Sequence, residues 1–143
     1  MSQSTAALVI KYVSYLLIVF AAVWGLAAFP PVDGPARMLV DLIDWPLGDG
    51  SPAWGRSVMW LSSIGAGMLM GWSIMFLFIV VPAVERGDKQ IIRASIIALV
   101  AWFVIDSAGS VASGVTSNAI FNVVMLVLLA GPLLLVKIEH SIN

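Results

Sequence analysis

Eighteen consecutive residues from Tyr12 to Phe29 carry no charge, and a run of that length leaves few ways to fold. At a rise of 1.5 Å per residue, about 18 or more apolar residues cross the roughly 30 Å hydrocarbon core of a bilayer. Such a run exceeds the h-region of a secretory signal, which is typically about 7 to 15 residues. Three comparable stretches follow, at about 57–81, 94–115 and 119–136. Backbone polar groups in lipid must be satisfied within the segment, so each stretch is expected to be helical. The expectation is an all-α integral membrane protein: one domain covering 1–143, built as a four-transmembrane-helix bundle with spans at about 12–29, 57–81, 94–115 and 119–136.

Composition supports this solvent assignment. Hydrophobic residues make up 61% of the chain and charged residues 10%, against about 25% charged in soluble domains. Punctuation agrees with the spans. Pro30 and Pro31 stop the first, Pro82 closes the second, Asp88 caps the third after Gly87, and Pro132 introduces a bend near the end of the fourth.

Lysine and arginine set the orientation. Lys11, Arg86, Lys89, Arg93 and Lys137 collect at one end of the bundle, and only Arg37 and Arg56 at the other. By the positive-inside rule the first end faces the cytoplasm, with both termini there, as in a bacterial inner (plasma) membrane. The external loop between spans one and two contains PARMLVDLID, in which Met38, Leu39, Leu42 and Ile43 share one helical face and Arg37, Asp41 and Asp44 the other. This predicts a short amphipathic surface helix, with Asp33 as N-cap, Pro46 as stop, and Trp45 and Trp54 at headgroup level.

One charged residue falls deep in a span. Asp106 lies in WFVIDSAGSVASG, where an ionisable group costs about 2.5 to 3.5 kcal/mol on insertion scales and is a functional candidate by default. Its structural alternative is a buried carboxyl that holds neighbouring helices by hydrogen bonds. Counting from the outer ends puts Asp106 about 13 Å deep, level with Gly65 and Ala66 on span two and with Leu128 on span four. Ser62 and Ser63 of span two are therefore its expected partners. Ser110 shares the face of Asp106 one turn away. Asn122 is expected level with Ser110, giving a chain Asp106, Ser110, Asn122 with Ser107 and Ser113 beside it. Trp60 and Trp102 could flank the pocket so formed.

Small residues define a second pattern. Ser63, Gly67 and Gly71 recur every four residues on span two, and Ser110 and Gly114 on span three. That spacing predicts close helix packing, between spans two and three or between copies of the chain.

Function classes narrow by chemistry. There is no cysteine, and His140 is the single histidine, so thiol chemistry, bis-histidine haem ligation and a histidine metal triad are not available to one chain. The net charge of −1 provides no footprint for nucleic acid. No cofactor, metal or enzymatic activity is expected. The inner halves of the spans are nearly all apolar, interrupted by Tyr12, Ser14, Tyr15, Ser73 and Ser95, whereas a conducting route needs polar lining along its length. The expected function is that of a non-catalytic, oligomeric or accessory membrane subunit whose outward polar pocket receives partner helices or a lipid-like ligand. Its partners are then membrane lipid, itself or another membrane protein. The alternative is a small proton- or ion-coupled transporter using Asp106.

Overall fold

The first long helix begins well before its uncharged run. In the computed structural model, which describes residues 1–48 and 53–137, Ser2 caps α1 (Gln3–Gly25) by accepting from the Thr5 N–H at 3.2 Å. A 3₁₀ turn over Leu26–Ala28 extends α1 to the two prolines. Lys11 therefore lies two turns inside the helix, on its exposed side.

The chain continues with α2 (Gly34–Ile43), α3 (Arg56–Met75), α4 (Val81–Glu85), α5 (Lys89–Ala112) and α6 (Thr116–Leu135). No strand occurs among the described residues. Among the described residues four helices are long and apolar enough to cross a membrane: Gln3–Ala28, Arg56–Glu85, Lys89–Ala112 and Thr116–Leu135.

Pro82 does not end the second of these. A single π turn over Phe76–Val80 joins α3 to α4, and Pro82 sits in the first turn of α4. A proline lacks the N–H that would reach back four residues, and the wide turn ahead of it accommodates that loss. The helix ends instead at Gly87, which has φ of 69°. The Gly87 and Asp88 N–H groups return to the Val84 and Ala83 carbonyls at 3.1 and 2.9 Å, a Schellman stop. Asp88 then caps α5, its Oδ1 accepting from the N–H groups of Gln90 and Ile91 at 3.0 and 3.1 Å. Pro132 lies within α6, buried, and the helix runs on to Leu135.

Helix α1 is the hub. It packs along α3 on one side and α6 on the other, while α5 packs along α6. Accordingly 39% of the most apolar stretch of α1 is buried inside the protein, against 17% for α5. Most of the buried core lies toward the end that carries Arg86, Lys89 and Arg93: Ile10, Val13, Phe76, Val84, Leu99, Leu129 and Leu133 meet there. Hydrogen bonds from the Met1 amino group to the Leu135 carbonyl and from the Lys137 N–H to the Met1 carbonyl, both 2.9 Å, tie the N-terminus to the end of α6.

At the opposite end α2 lies across α1 and reaches α6. Ser117 donates to the Ile43 carbonyl, and its oxygen accepts from the Trp45 N–H at 3.1 Å. Asp33 occupies the N-cap position of α2 without capping through its side chain. Its carboxylate instead accepts from Arg37 Nη2 at 2.8 Å and from Trp54 Nε1 at 3.1 Å, with the Arg37 guanidinium 4.7 Å from the Trp54 ring centre. The Arg37 hydrogen bond and charge, with the Trp54 bond, hold the Asp33 carboxyl below its ordinary value. Of the apolar residues of α2, Leu39 and Ile43 are half-buried whereas Met38 and Leu42 are exposed, with Trp45 beyond them.

Candidate functional site

Asp106 gathers its partners from its own helix and from α6. Its Oδ1 accepts from Asn118 Nδ2 at 2.9 Å and from Ser110 Oγ at 3.2 Å, and its Oδ2 accepts from Trp102 Nε1 at 3.2 Å. Trp102, Asp106 and Ser110 are four residues apart and so stack on one face of α5. Ser110 is buried, its hydroxyl also within 2.8 Å of the Asp106 carbonyl, and its oxygen accepts from Asn118 Nδ2 at 2.7 Å. One turn further along α6, buried Asn122 donates to Ser107 Oγ at 3.2 Å.

Asn118, which carries α6 onto Asp106, escapes a reading of the sequence that begins span four at Ala119. The offset has one cause. Gly114 adopts φ of 88°, and the N–H groups of Gly114 and Val115 return to the carbonyls of Val111 and Ser110 at 3.1 and 2.9 Å. This Schellman turn ends α5 at Ala112 and lets α6 start at Thr116. Asp106 is then six residues, about 9 Å, from the end of its helix, and Asn122 rather than Leu128 lies level with it. Asn122 consequently faces Ser107, and Asn118 takes the place beside Ser110.

Span two does not supply the partner. Ser63 donates to the Met59 carbonyl of its own helix at 3.0 Å, and Ser62 is buried in α3 without a bond to Asp106. Helices α3 and α5 scarcely pack; they meet through Trp72 and Trp102, whose ring centres are 5.4 Å apart. Gly67 and Gly71 are exposed on α3 with open space where a Cβ would point, and Gly114 serves as the α5 stop. The glycine that admits a close neighbour is Gly65: a Cβ there would lie 2.5 Å from the Trp24 ring. The Trp24 Nε1 is buried in that seam without an acceptor. Gly67 and Ser63, with Ala21, Gly25, Ala66 and Met70, line a groove of about 340 Å³ between α1 and α3. Trp60 lines a separate cavity of about 470 Å³ with Arg56 and Ser57.

Among the described residues the apolar half contains no comparable network of side chains, although Gln3 Nε2 donates across helices to the Val84 carbonyl at 3.3 Å. Ser14, Ser73 and Ser95 are buried there, and each donates to the carbonyl four residues back on its own helix, at 2.8, 2.7 and 2.8 Å. His140 lies outside the described residues.

The regular structure of the described residues is all helical, and its four long apolar helices are compatible with a polytopic membrane protein. No family model matches it, and neither a curated protein nor a solved structure shows significant similarity to it.

Proposed function

We propose that this chain is a non-catalytic polytopic membrane protein of a bacterial inner membrane, with both termini cytoplasmic, α2 on the outer surface, and an outward polar site centred on Asp106 that receives a lipid-like ligand or a partner helix. The observation that carries this reading is the asymmetry of polar groups along the bundle. Three side chains from two helices converge on Asp106 near one end, while the buried serines toward the other end are satisfied within their own helices. Asn118 and Asn122 bond across from α6 to α5, which specifies packing, whereas a hydroxyl that bonds back to a carbonyl of its own helix does not.

Exposed Met38, Leu42 and Trp45 give α2 an apolar edge suited to the headgroup layer. Reporter fusions after Lys137 and native mass measurement in nanodiscs test the reading. The expected result is a cytoplasmic reporter and a species that retains lipid, a second copy or another protein. A reporter active only in the periplasm, or a strictly monomeric species that retains nothing, would count against it.

A second reading, ion-coupled transport through Asp106, is favoured by the sparse packing of α3 against α5 beside that residue, because a seam of that kind can open. Flux into liposomes under a pH gradient that Asp106→Asn abolishes would establish it. Unchanged flux in the folded variant would remove it.

A further inference from the structure

We propose that the ligand of the Asp106 site is a lipophilic organic cation, an ammonium or phosphonium centre carried on an apolar body. This deepens the lipid-like-ligand reading above and rests on it. A carboxylate is an acceptor-only group with about four lone-pair positions. Three protein donors reach Asp106, two on Oδ1 and one on Oδ2. Oδ2 thus keeps a free position. Among the described residues no ion pair involves Asp106, and the Arg37–Asp33 pair lies in the loop before α3, so Asp106 has no basic partner and complements a positive charge.

The surrounding groups select the kind of cation. A metal ion needs several oxygen ligands turned toward it, but Ser110 and Asn118 present hydrogens to Asp106. An organic cation needs one acceptor and gains from aromatic faces, tryptophan best of all. Trp102 touches the carboxylate directly, and Trp72 stands against Trp102 from α3 at 5.4 Å with the rings inclined at 47°. Both indoles are partly exposed. Because α3 and α5 run antiparallel, one turn beyond the tryptophans brings Met68 level with Asp106, and Met68 is 72% exposed. Helices α3 and α5 scarcely pack, and the exposed apolar side chain of Met68 at the height of the carboxylate accommodates the body of the ligand.

The test uses the full chain in nanodiscs with two probes of similar shape, tetraphenylphosphonium and uncharged triphenylphosphine oxide. Equilibrium dialysis measures affinity, and the indole ¹⁵N–¹H signal of Trp102 reports on the site. Saturable binding of the cation is expected, with a preference of about tenfold or more over the neutral probe and a shift of the Trp102 signal. Asp106→Asn should weaken the cation about tenfold and leave the neutral probe unchanged, and Trp72→Leu should weaken it several-fold. Equal affinity of the two probes for the unmodified chain would overturn the proposal, and that comparison needs no variant to fold. Absence of saturable binding, or cation binding unaffected in folded Asp106→Asn, would overturn it as well. A chain that inserts with cytoplasmic termini yet does not discriminate the probes loses the cation alone; failure to insert removes the underlying reading.

Discussion

The bond between Asn118 and Asp106 can be weighed against the competing pairing with α3 by double-mutant cycles. Asn118 Nδ2 makes two bonds, at 2.9 Å to Asp106 and 2.7 Å to Ser110. Intramembrane hydrogen bonds average about 0.6 kcal/mol and reach about 1.7, so Asn118→Ala should cost about 1 to 3 kcal/mol. Only one of the two bonds reaches Asp106. The coupling between Asn118→Ala and Asp106→Ala should therefore be about 0.6 to 1.7 kcal/mol. Ser62 makes no bond to Asp106, and Ser62→Ala with Asp106→Ala should add within about 0.3 to 0.5 kcal/mol. Reversible unfolding in mixed micelles, followed by far-ultraviolet circular dichroism, measures all five variants. Coupling at Ser62 larger than at Asn118 would refute the assignment of α6 as the partner helix.

The glycines separate by what lies over them. Gly65→Ala should destabilise by about 1 to 3 kcal/mol, since the added carbon meets the Trp24 ring, whereas Gly67→Ala and Gly71→Ala should be neutral or slightly stabilising in a monomer; thermal unfolding in detergent ranks them, and a reversed ranking would sink the α1–α3 packing described. Asp33, held below its ordinary value by Arg37, stabilises the loop above the carboxyl's unfolded value, and that contribution disappears as pH falls through the lower folded value. The Trp54 indole signal should follow this titration. Arg37→Gln should move its midpoint up toward the ordinary aspartate range, and an unmoved midpoint would show that Arg37 does not set it.

Helix identity was legible because it depends on local runs of uncharged residues, and Asp106 because a lone charge in such a run is visible without any structure. The pairing around Asp106 was not, since a helix-to-helix register is set by turn geometry that three or four residues decide. Beginning span four at Ala119 instead of Thr116 and ending span three at Val115 instead of Ala112 shifts the facing residue by six positions, from Asn122 to Leu128. Gly114 carried the signal. Read as a helix stop followed by a tight turn, rather than as a packing glycine, it places Asn118 opposite Ser110. The order of packing was equally hidden: small residues at four-residue spacing mark where a close approach can occur, and only the indole over Gly65 shows where it does.

The division of the bundle into two unlike halves has a consequence for how it can move. Toward the basic end α1, the π turn, α4, α5 and α6 all meet, and the buried serines there exchange no bonds between helices, so the helices are held by apolar packing, which has few discrete alternatives. Toward the loop end α5 is held to α6 by Asn118 and Asn122 and to α3 by one aromatic contact. Separating Trp72 from Trp102 breaks no hydrogen bond, because the Trp102 N–H bonds within its own helix. At the loop end α5 can therefore part from α3 without losing a hydrogen bond, whereas α6 is tied to Ile43 and Trp45 through Ser117 and to α1 by packing. A motion of that kind changes access to the carboxylate without changing its partners, so a ligand that enters between α3 and α5 meets a site already assembled.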